Sequence, residues 1–287
     1  MSLADFSSPS PLVIYHANCS DGFAAAWAVR RRFPGAELYA ATYQTPAPEV
    51  RGRDVVIVDF SFSREVTERL RAEAREFLLL DHHATAEDDL AGVPGCFFDR
   101  TRSGAEIAWD WFHLTPRPDF LTYIGDGDRW AWELADSRTI NEYLRIAPKT
   151  IESYDALAEL SPEELRRRGE IARLASSNYR ALVAGNALPA IIAEIPEDGI
   201  DPRFREPTLG VNAPPWNHSE LLADLALRSP AGYAFSYYQK GDGSWSYSFR
   251  AAPGGPDVAR FAKQFGGGGH PSAANFVSPT VRHAILR

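Results

Sequence analysis

Three apolar runs in the first third of the chain, Leu12-Val13-Ile14-Tyr15, Val55-Val56-Ile57-Val58 and Phe77-Leu78-Leu79-Leu80, each lead directly into polar residues: His16, Asp59 and Asp81-His82-His83. Runs of four apolar residues, bounded by turn signals and separated by helix-length segments, suit strands buried on both faces of a parallel sheet. The intervening residues 22–33 and 63–76 read as helices. The first is closed by Arg30-Arg31-Arg32 and Pro34-Gly35, and the second opens on Ser63 as N-cap. A third helix begins near Ser103, with Ala105, Ile107, Ala108, Trp111 and Phe112 at helical spacing. This alternation predicts an α/β fold with a doubly wound, mostly parallel sheet. Ligands of such sheets gather outside the carboxyl ends of the strands, so the three strand ends converge on one crevice. Two histidines alone at a strand end are as readily explained by solvent exposure. Imidazole and carboxylate on three successive strand ends point to a metal centre, with Asp59 as the candidate shared carboxylate, and without a thiolate cluster they favour Mn, Fe or Zn class ions.

The 287 residues, 45% of them apolar, are enough for about two domains. Ser161-Pro162-Glu163-Glu164 is a helix start and Ala184-Gly185-Asn186 a stop, after which β signals appear at residues 190–195, 233–239 and 244–250. Lys240-Gly241-Asp242-Gly243 joins the last two runs as a hairpin. The expected organisation is a metal-binding catalytic domain at 1–150, a helical linker at 151–188 and a smaller α/β substrate-binding domain at 189–287. No apolar run is long enough to cross a membrane, the N-terminal residues lack a secretory signal pattern, and Cys19 and Cys96 are too few for a disulfide framework. A cytoplasmic location is the reading that follows. The net charge of −8 and pI near 5.4 argue against a long groove for duplex nucleic acid, which draws its binding energy from many neutralised phosphates. A short anionic substrate is compatible, because bound cations supply positive charge locally.

Other segments admit two readings each. Arg102-Ser103-Gly104-Ala105 sits at a helix start, where backbone N–H groups favour anions, but Ser103 also serves as a plain N-cap. Gly266-Gly267-Gly268-Gly269-His270 is either a flexible loop or a backbone concavity for an anion. Cys19 is a packed thiol or, with His16 as base, a nucleophile. Trp27, Trp109, Trp111, Trp130 and Trp132 are expected in the core, whereas Trp216, in a proline-rich loop with Asn212, His218 and Ser219, is placed to pack or to stack on a base.

Together, His16-Ala17-Asn18-Cys19-Ser20-Asp21-Gly22, Val58-Asp59, Asp81-His82-His83 and Gly266-Gly267-Gly268-Gly269-His270-Pro271 resemble four signatures of the DHH phosphoesterase superfamily, DHH-DHHA1 branch, in its nanoRNase or oligonucleotide phosphodiesterase-like form. The resemblance spans nearly the whole chain. It implies a DHH domain holding one or two Mn²⁺ ions, with Mg²⁺, Co²⁺ or Zn²⁺ as substitutes, and a DHHA1 domain that grips substrate. One metal position would take Asp21, Asp59, His82 and an aspartate of Tyr123-Ile124-Gly125-Asp126-Gly127-Asp128-Arg129-Trp130, with Asp126 preferred and Asp128 as alternative. The other would take His16 and Asp59. Most members have a further aspartate where Cys19 stands, so either a thiolate ligand, which favours Zn²⁺, or water completes that position. Asp59, Asp81, His82 and His83 form the implied catalytic set, with His83 on the substrate phosphate. Arg102, Ser103, Arg250, Gly267, Gly268, Gly269 and His270 would position the substrate. Asn275 departs from the glycine that many members carry after the paired alanines. The implied reaction is hydrolysis of short RNA, DNA or linear dinucleotides to nucleoside monophosphates by metal-activated water. Polyphosphate or pyrophosphate hydrolysis, and a regulatory nucleotide-binding protein with weakened catalysis, are the alternatives; a homodimer is compatible with either.

Overall fold

The computed structural model of the chain describes residues 9–42, 45–193, 195, 200–214 and 218–286. These form two compact units, Met1–Arg173 and Leu174–Arg287.

The first unit is built on five strands, β1 (Leu12–His16), β2 (Glu37–Ala41), β3 (Asp54–Val58), β4 (Glu76–Asp81) and β5 (Cys96–Phe98), in the order β2-β1-β3-β4-β5 with every pairing parallel. The three apolar runs are β1, β3 and β4. Each is buried on both faces. Val13, Val56, Val58, Leu78 and Leu80 pack on one side and Leu12, Ile14, Val55, Ile57 and Leu79 on the other, which is why the runs are continuously apolar instead of alternating. Helix α1 (Ser20–Arg32) covers the first face with its alanine-rich stretch, where Trp27 is fully buried and stacks on Trp109 at 5.6 Å. Helix α2 (Arg64–Glu73) covers the second face through Leu70. After the short α3 (Ala84–Asp89), four helices follow β5: α4 (Gly104–Phe112), α5 (Asp119–Asp128), α6 (Ser137–Ile146) and α7 (Ile151–Ala158). β1 lies between β2 and β3, so the chain leaves β1 toward one edge and returns on its other side. This reversal opens a crevice at the carboxyl ends of β1 and β3.

The region expected as a linker consists of α7 and the long α8 (Pro162–Ala184), and the two units part within α8, between Arg173 and Leu174. The second unit holds a seven-stranded sheet: β6 (Leu188–Ile192), β7 (Thr208–Asn212), β8 (Tyr233–Gln239), β9 (Trp245–Ala251), β10 (Gly268–His270), β11 (Ala273–Ser278) and β12 (His283–Ile285). Their order is β10-β11-β9-β8-β7-β6-β12, parallel only at β7–β8. The expected hairpin is β8–β9, with Gln239 opposite Trp245. Helix α9 (His218–Arg228) packs Leu221, Leu222 and Leu225 on one face, and α10 (Val258–Lys263) packs Phe261 among Phe235, Phe249 and Phe276 on the other. Trp216 and the side chain of His218 lie outside the described residues. No helix among the described residues is long and apolar enough to cross a membrane.

Candidate metal centre

At the carboxyl ends of β1, β3 and β4 the structure brings together His16, Asp59, Asp81, His82 and His83, with Asp21 from the first turn of α1 and Asp128 from the end of α5. Asp59 is central. It follows β3 in a left-handed conformation, φ +52°, which aspartate tolerates better than most residues. Its Oδ1 lies 3.2 Å from His82 Nε2 and its Oδ2 3.8 Å from His16 Nδ1. The same His82 nitrogen is 3.4 Å from Asp128 Oδ2 and 4.0 Å from Asp21 Oδ2. Ligand atoms about 2.1 Å from one shared ion stand about 3 to 4 Å apart, the range these separations occupy. Cys19 joins His16 and Asp59 in a second group on the other side of Asp59.

Both oxygens of Asp59 and the Nε2 of His82 are buried, and none of the three has a hydrogen-bond partner among the described residues. A buried carboxylate without a donor is costly. Burial, then the neighbouring Asp21 and Asp128 carboxylates, pushes the Asp59 carboxyl well above the usual range. Burial and Asp21 likewise push Asp128 up to about 7. A divalent cation would supply the missing partner and relieve the repulsion among three carboxylates, and the oxygen and imidazole donor set suits an ion of the Mn, Mg, Co or Zn kind. The residues therefore fit a metal. Cys19 is less ready: burial and the charges of Asp59, Asp21 and Asp128 raise its thiol well above the ordinary value, the opposite of what an activated nucleophile needs.

Two glycines make room for Asp59. A Cβ on Gly104 would stand 2.5 Å from Asp59 Cβ, and one on Gly22 would stand 2.5 Å from the His16 carbonyl oxygen and 3.0 Å from Asp59 Oδ2. The first turns of α1 and α4 can approach the strand ends only because these positions lack side chains.

Several expected roles are redistributed. Asp81 is fully buried and its carboxylate is already engaged. It accepts from Ser61 Oγ at 2.6 Å, from the backbone N–H of His82 at 2.7 Å, and meets His83 Nδ1 at 2.7 Å. Burial pushes its carboxyl up, but these donors outweigh burial and hold it below the ordinary value. Asp81 thus positions His83. The hydrogen bond that His83 Nδ1 makes to the Asp81 carboxylate also raises the His83 imidazole above its usual value, and the ring is 37% exposed at the mouth of the site.

Ser103 was expected to meet substrate, yet its side chain is buried and donates to Asp21 Oδ1 at 2.6 Å. The N–H groups of Gly104 and Ala105 also go to Asp21, at 2.7 and 3.2 Å. The anion at the start of α4 is therefore the carboxylate of Asp21, which the helix dipole holds in place. Glu106 completes the capping box with Ser103, a serine-x-x-glutamate pattern readable in the sequence. Arg102 is turned away into ion pairs with Asp99 and Asp110, each at 2.7 Å. The preference for Asp126 over Asp128 is reversed. Asp126 accepts from the backbone N–H of Glu133 and Leu134, at 2.9 and 3.4 Å, and closes a loop, while Asp128, two residues further on α5, turns to His82.

In the second unit, Arg250 on β9 is partly buried and donates from Nη2 to Ser219 Oγ at 2.8 Å. The glycine run is more ordered than a cradle of free N–H groups. The Gly266 and Gly267 N–H groups bond to the carbonyls of Lys263 and Ala262, Gly268–His270 form β10, and His270 is exposed.

No protein-family model matches the chain. An uncharacterized protein of Acanthamoeba polyphaga mimivirus is 25% identical over 299 residues, covering 96% of this chain and 69% of that protein. Among solved structures, the DHH domain of a protein described as belonging to a family of ribosomal proteins superposes with a TM-score of 0.57 at 14% identity, over 94% of this chain and 83% of that one. Exonuclease RecJ bound to manganese superposes with a TM-score of 0.52 at 13% identity, over 93% and 86%. At such identities the likeness is one of fold. The chain has the fold of the DHH-domain proteins.

Proposed function

We propose that the chain is a divalent-cation-dependent phosphoesterase of the DHH superfamily that hydrolyses short oligonucleotides or linear dinucleotides to nucleoside monophosphates. The observation that carries this reading is Asp59, a buried carboxylate without a hydrogen-bond donor among the described residues, flanked by His82 and His16 on its two oxygens. The fold shared with manganese-bound RecJ, an exonuclease, supports both the cation and the substrate class. Bound there, a cation such as Mn²⁺ lowers the pKa of water and neutralises phosphoryl oxygens. Asp59, His82, Asp21 and Asp128 would hold it, and His16 with Cys19 would offer the second position. His83, its Nδ1 fixed by Asp81, presents Nε2 to a substrate phosphate and supplies a proton donor or positive charge there. In the second unit Arg250, whose guanidinium suits a phosphate by its planar fork, is the proposed anion-binding side chain, and Gly268, Gly269 and His270 form the edge strand β10, separated from β9 by β11.

The test is turnover of 5′-phosphorylated dinucleotides by chelated protein, with Mn²⁺, Mg²⁺ and Zn²⁺ returned separately and bound metal counted by mass spectrometry. Metal-restored release of monophosphates is expected, and Asp59→Asn is expected to abolish it together with metal retention. Unchanged turnover in Asp59→Asn at saturating Mn²⁺ refutes the assignment. Preferential cleavage of tripolyphosphate replaces the nucleotide substrate with an inorganic one.

A further inference from the structure

Trp130, expected in the core, is 60% exposed. It belongs to a tight loop that leaves α5 directly after Asp128, and both Trp130 and Trp132 have positive φ, +58° and +55°. Bulky L side chains rarely adopt this conformation, so the surroundings must impose it. Backbone bonds from Trp130 to Gly127, and from Ala131 and Trp132 to Asp126, close the loop, and the Asp126 carboxylate ties Glu133 and Leu134 to it. Arg129 anchors its base, with Nε 3.5 Å from Glu106 Oε2. The two indoles differ in use. Trp132 is partly buried, with the Arg138 guanidinium 4.5 Å above its ring, and meets Trp130 edge-on at 5.0 Å. One indole is packed and braces the other, which is held in water although burial is the ordinary state of tryptophan. The Trp130 backbone also stands close to the cluster of carboxylates and imidazoles. Two trans peptide units, at most about 7.6 Å, separate its Cα from that of Asp128, whose carboxylate is 3.4 Å from His82.

We propose that Trp130 is the base-stacking platform of the metal centre: its indole takes the face of a nucleobase whose phosphate lies at the Asp59 and His82 cluster. The proposal rests on the phosphoesterase reading and deepens it, since it assigns the ring that separates nucleotides from inorganic phosphoanhydrides. Stacking uses the π-face that every base has, so the selection is for a base as such and weak among the four.

The experiment is isothermal titration calorimetry of the Mn²⁺-loaded protein with adenosine 5′-monophosphate and with ribose 5-phosphate, for wild type, Trp130→Phe and Trp130→Gly. Glycine removes the ring and also suits the positive φ, so Trp130→Gly is expected to melt no lower than wild type. Wild type should prefer the nucleotide by about 5- to 150-fold, the worth of one stacked base. Trp130→Gly should lose that preference while keeping ribose 5-phosphate affinity, and Trp130→Phe should keep most of it. Equal preference in Trp130→Gly, no preference in wild type, or parallel weakening of both ligands overturns the proposal. Dinucleotide turnover is read separately. Absent turnover with the binding contrast intact sinks the phosphoesterase reading and leaves the stacking site standing.

Discussion

Gly104→Ala tests whether the close approach of α4 to Asp59 is what places the central carboxylate. Gly104 has no positive φ, so alanine suits its backbone, and the obstacle is Asp59 itself. The new methyl would stand 2.5 Å from Asp59 Cβ and 2.9 Å from both Cγ and Oδ1. Ordinary carbon contacts are about 3.5 to 4.0 Å, so Asp59 or the start of α4 must move by about 1 Å. Overpacking of this kind costs about 1 to 3 kcal/mol, and the helix preference of alanine over glycine returns at most about 1 kcal/mol. The net loss of stability is therefore about 0 to 2 kcal/mol when the full helix preference is returned, and at most about 3 kcal/mol. The functional loss should be larger, because a misplacement of about 1 Å at a reacting centre costs about 100-fold in rate. Thermal melting, Mn²⁺ titration and dinucleotide turnover on one preparation separate the two effects. Wild-type Mn²⁺ affinity and turnover in a folded Gly104→Ala would refute the argument that this contact sets the position of Asp59.

Ser103→Ala removes the hydroxyl that donates to Asp21 and caps α4; we expect about 1 to 3 kcal/mol less stability and about 10- to 100-fold weaker Mn²⁺ binding, read by melting and calorimetry. Gly268→Ala meets nothing within 4 Å, so its melting should show a stability within about 0.5 kcal/mol of wild type. Asp99, held at about 2 chiefly by the Thr101 hydroxyl, with the Thr101 N–H and Arg102 adding to it, has a folded pKa below its unfolded value of about 3.9. Its contribution is present above about pH 4 and lost as pH falls toward 2, so the stability gap between wild type and Asp99→Asn should narrow over that window in chemical denaturation.

Strands β1, β3 and β4 were legible because burial on both faces leaves four consecutive apolar residues, and the polar residue after each run marks the carboxyl end where sites collect. β2 and β5 were not foreseen. β2 is a half-exposed edge strand that ends in two alanines, which favour helix over strand, and β5 has only three residues, short of the four to eight that a strand signal needs. Helices α5 to α7 also escaped, since Asp119–Asp128 mixes glycine and aspartate with its apolar positions. At the site, the residue types His16, Asp21, Asp59, His82 and His83 could be named in advance. Ser61 behind Asp81 could not, because a serine three residues past a strand end carries no signal of its own.

The amino-acid sequence by itself determined the parallel sheet, the order in which imidazoles and carboxylates reach its carboxyl edge, and the hairpin of the second unit, because hydrophobic periodicity and turn chemistry are local properties. Only the tertiary structure decided which of those polar groups face the crevice. Asp81 and Ser103 spend their hydrogen-bonding capacity on His83 and Asp21, Asp128 replaces Asp126, Arg102 turns to Asp99 and Asp110, and Trp130 stands in water. The physical reason is that a buried polar group must find a partner, and the nearest partner is set by how the helices pack against the strand ends, a relation between residues as far apart as Asp21 and Ser103 that no local pattern encodes.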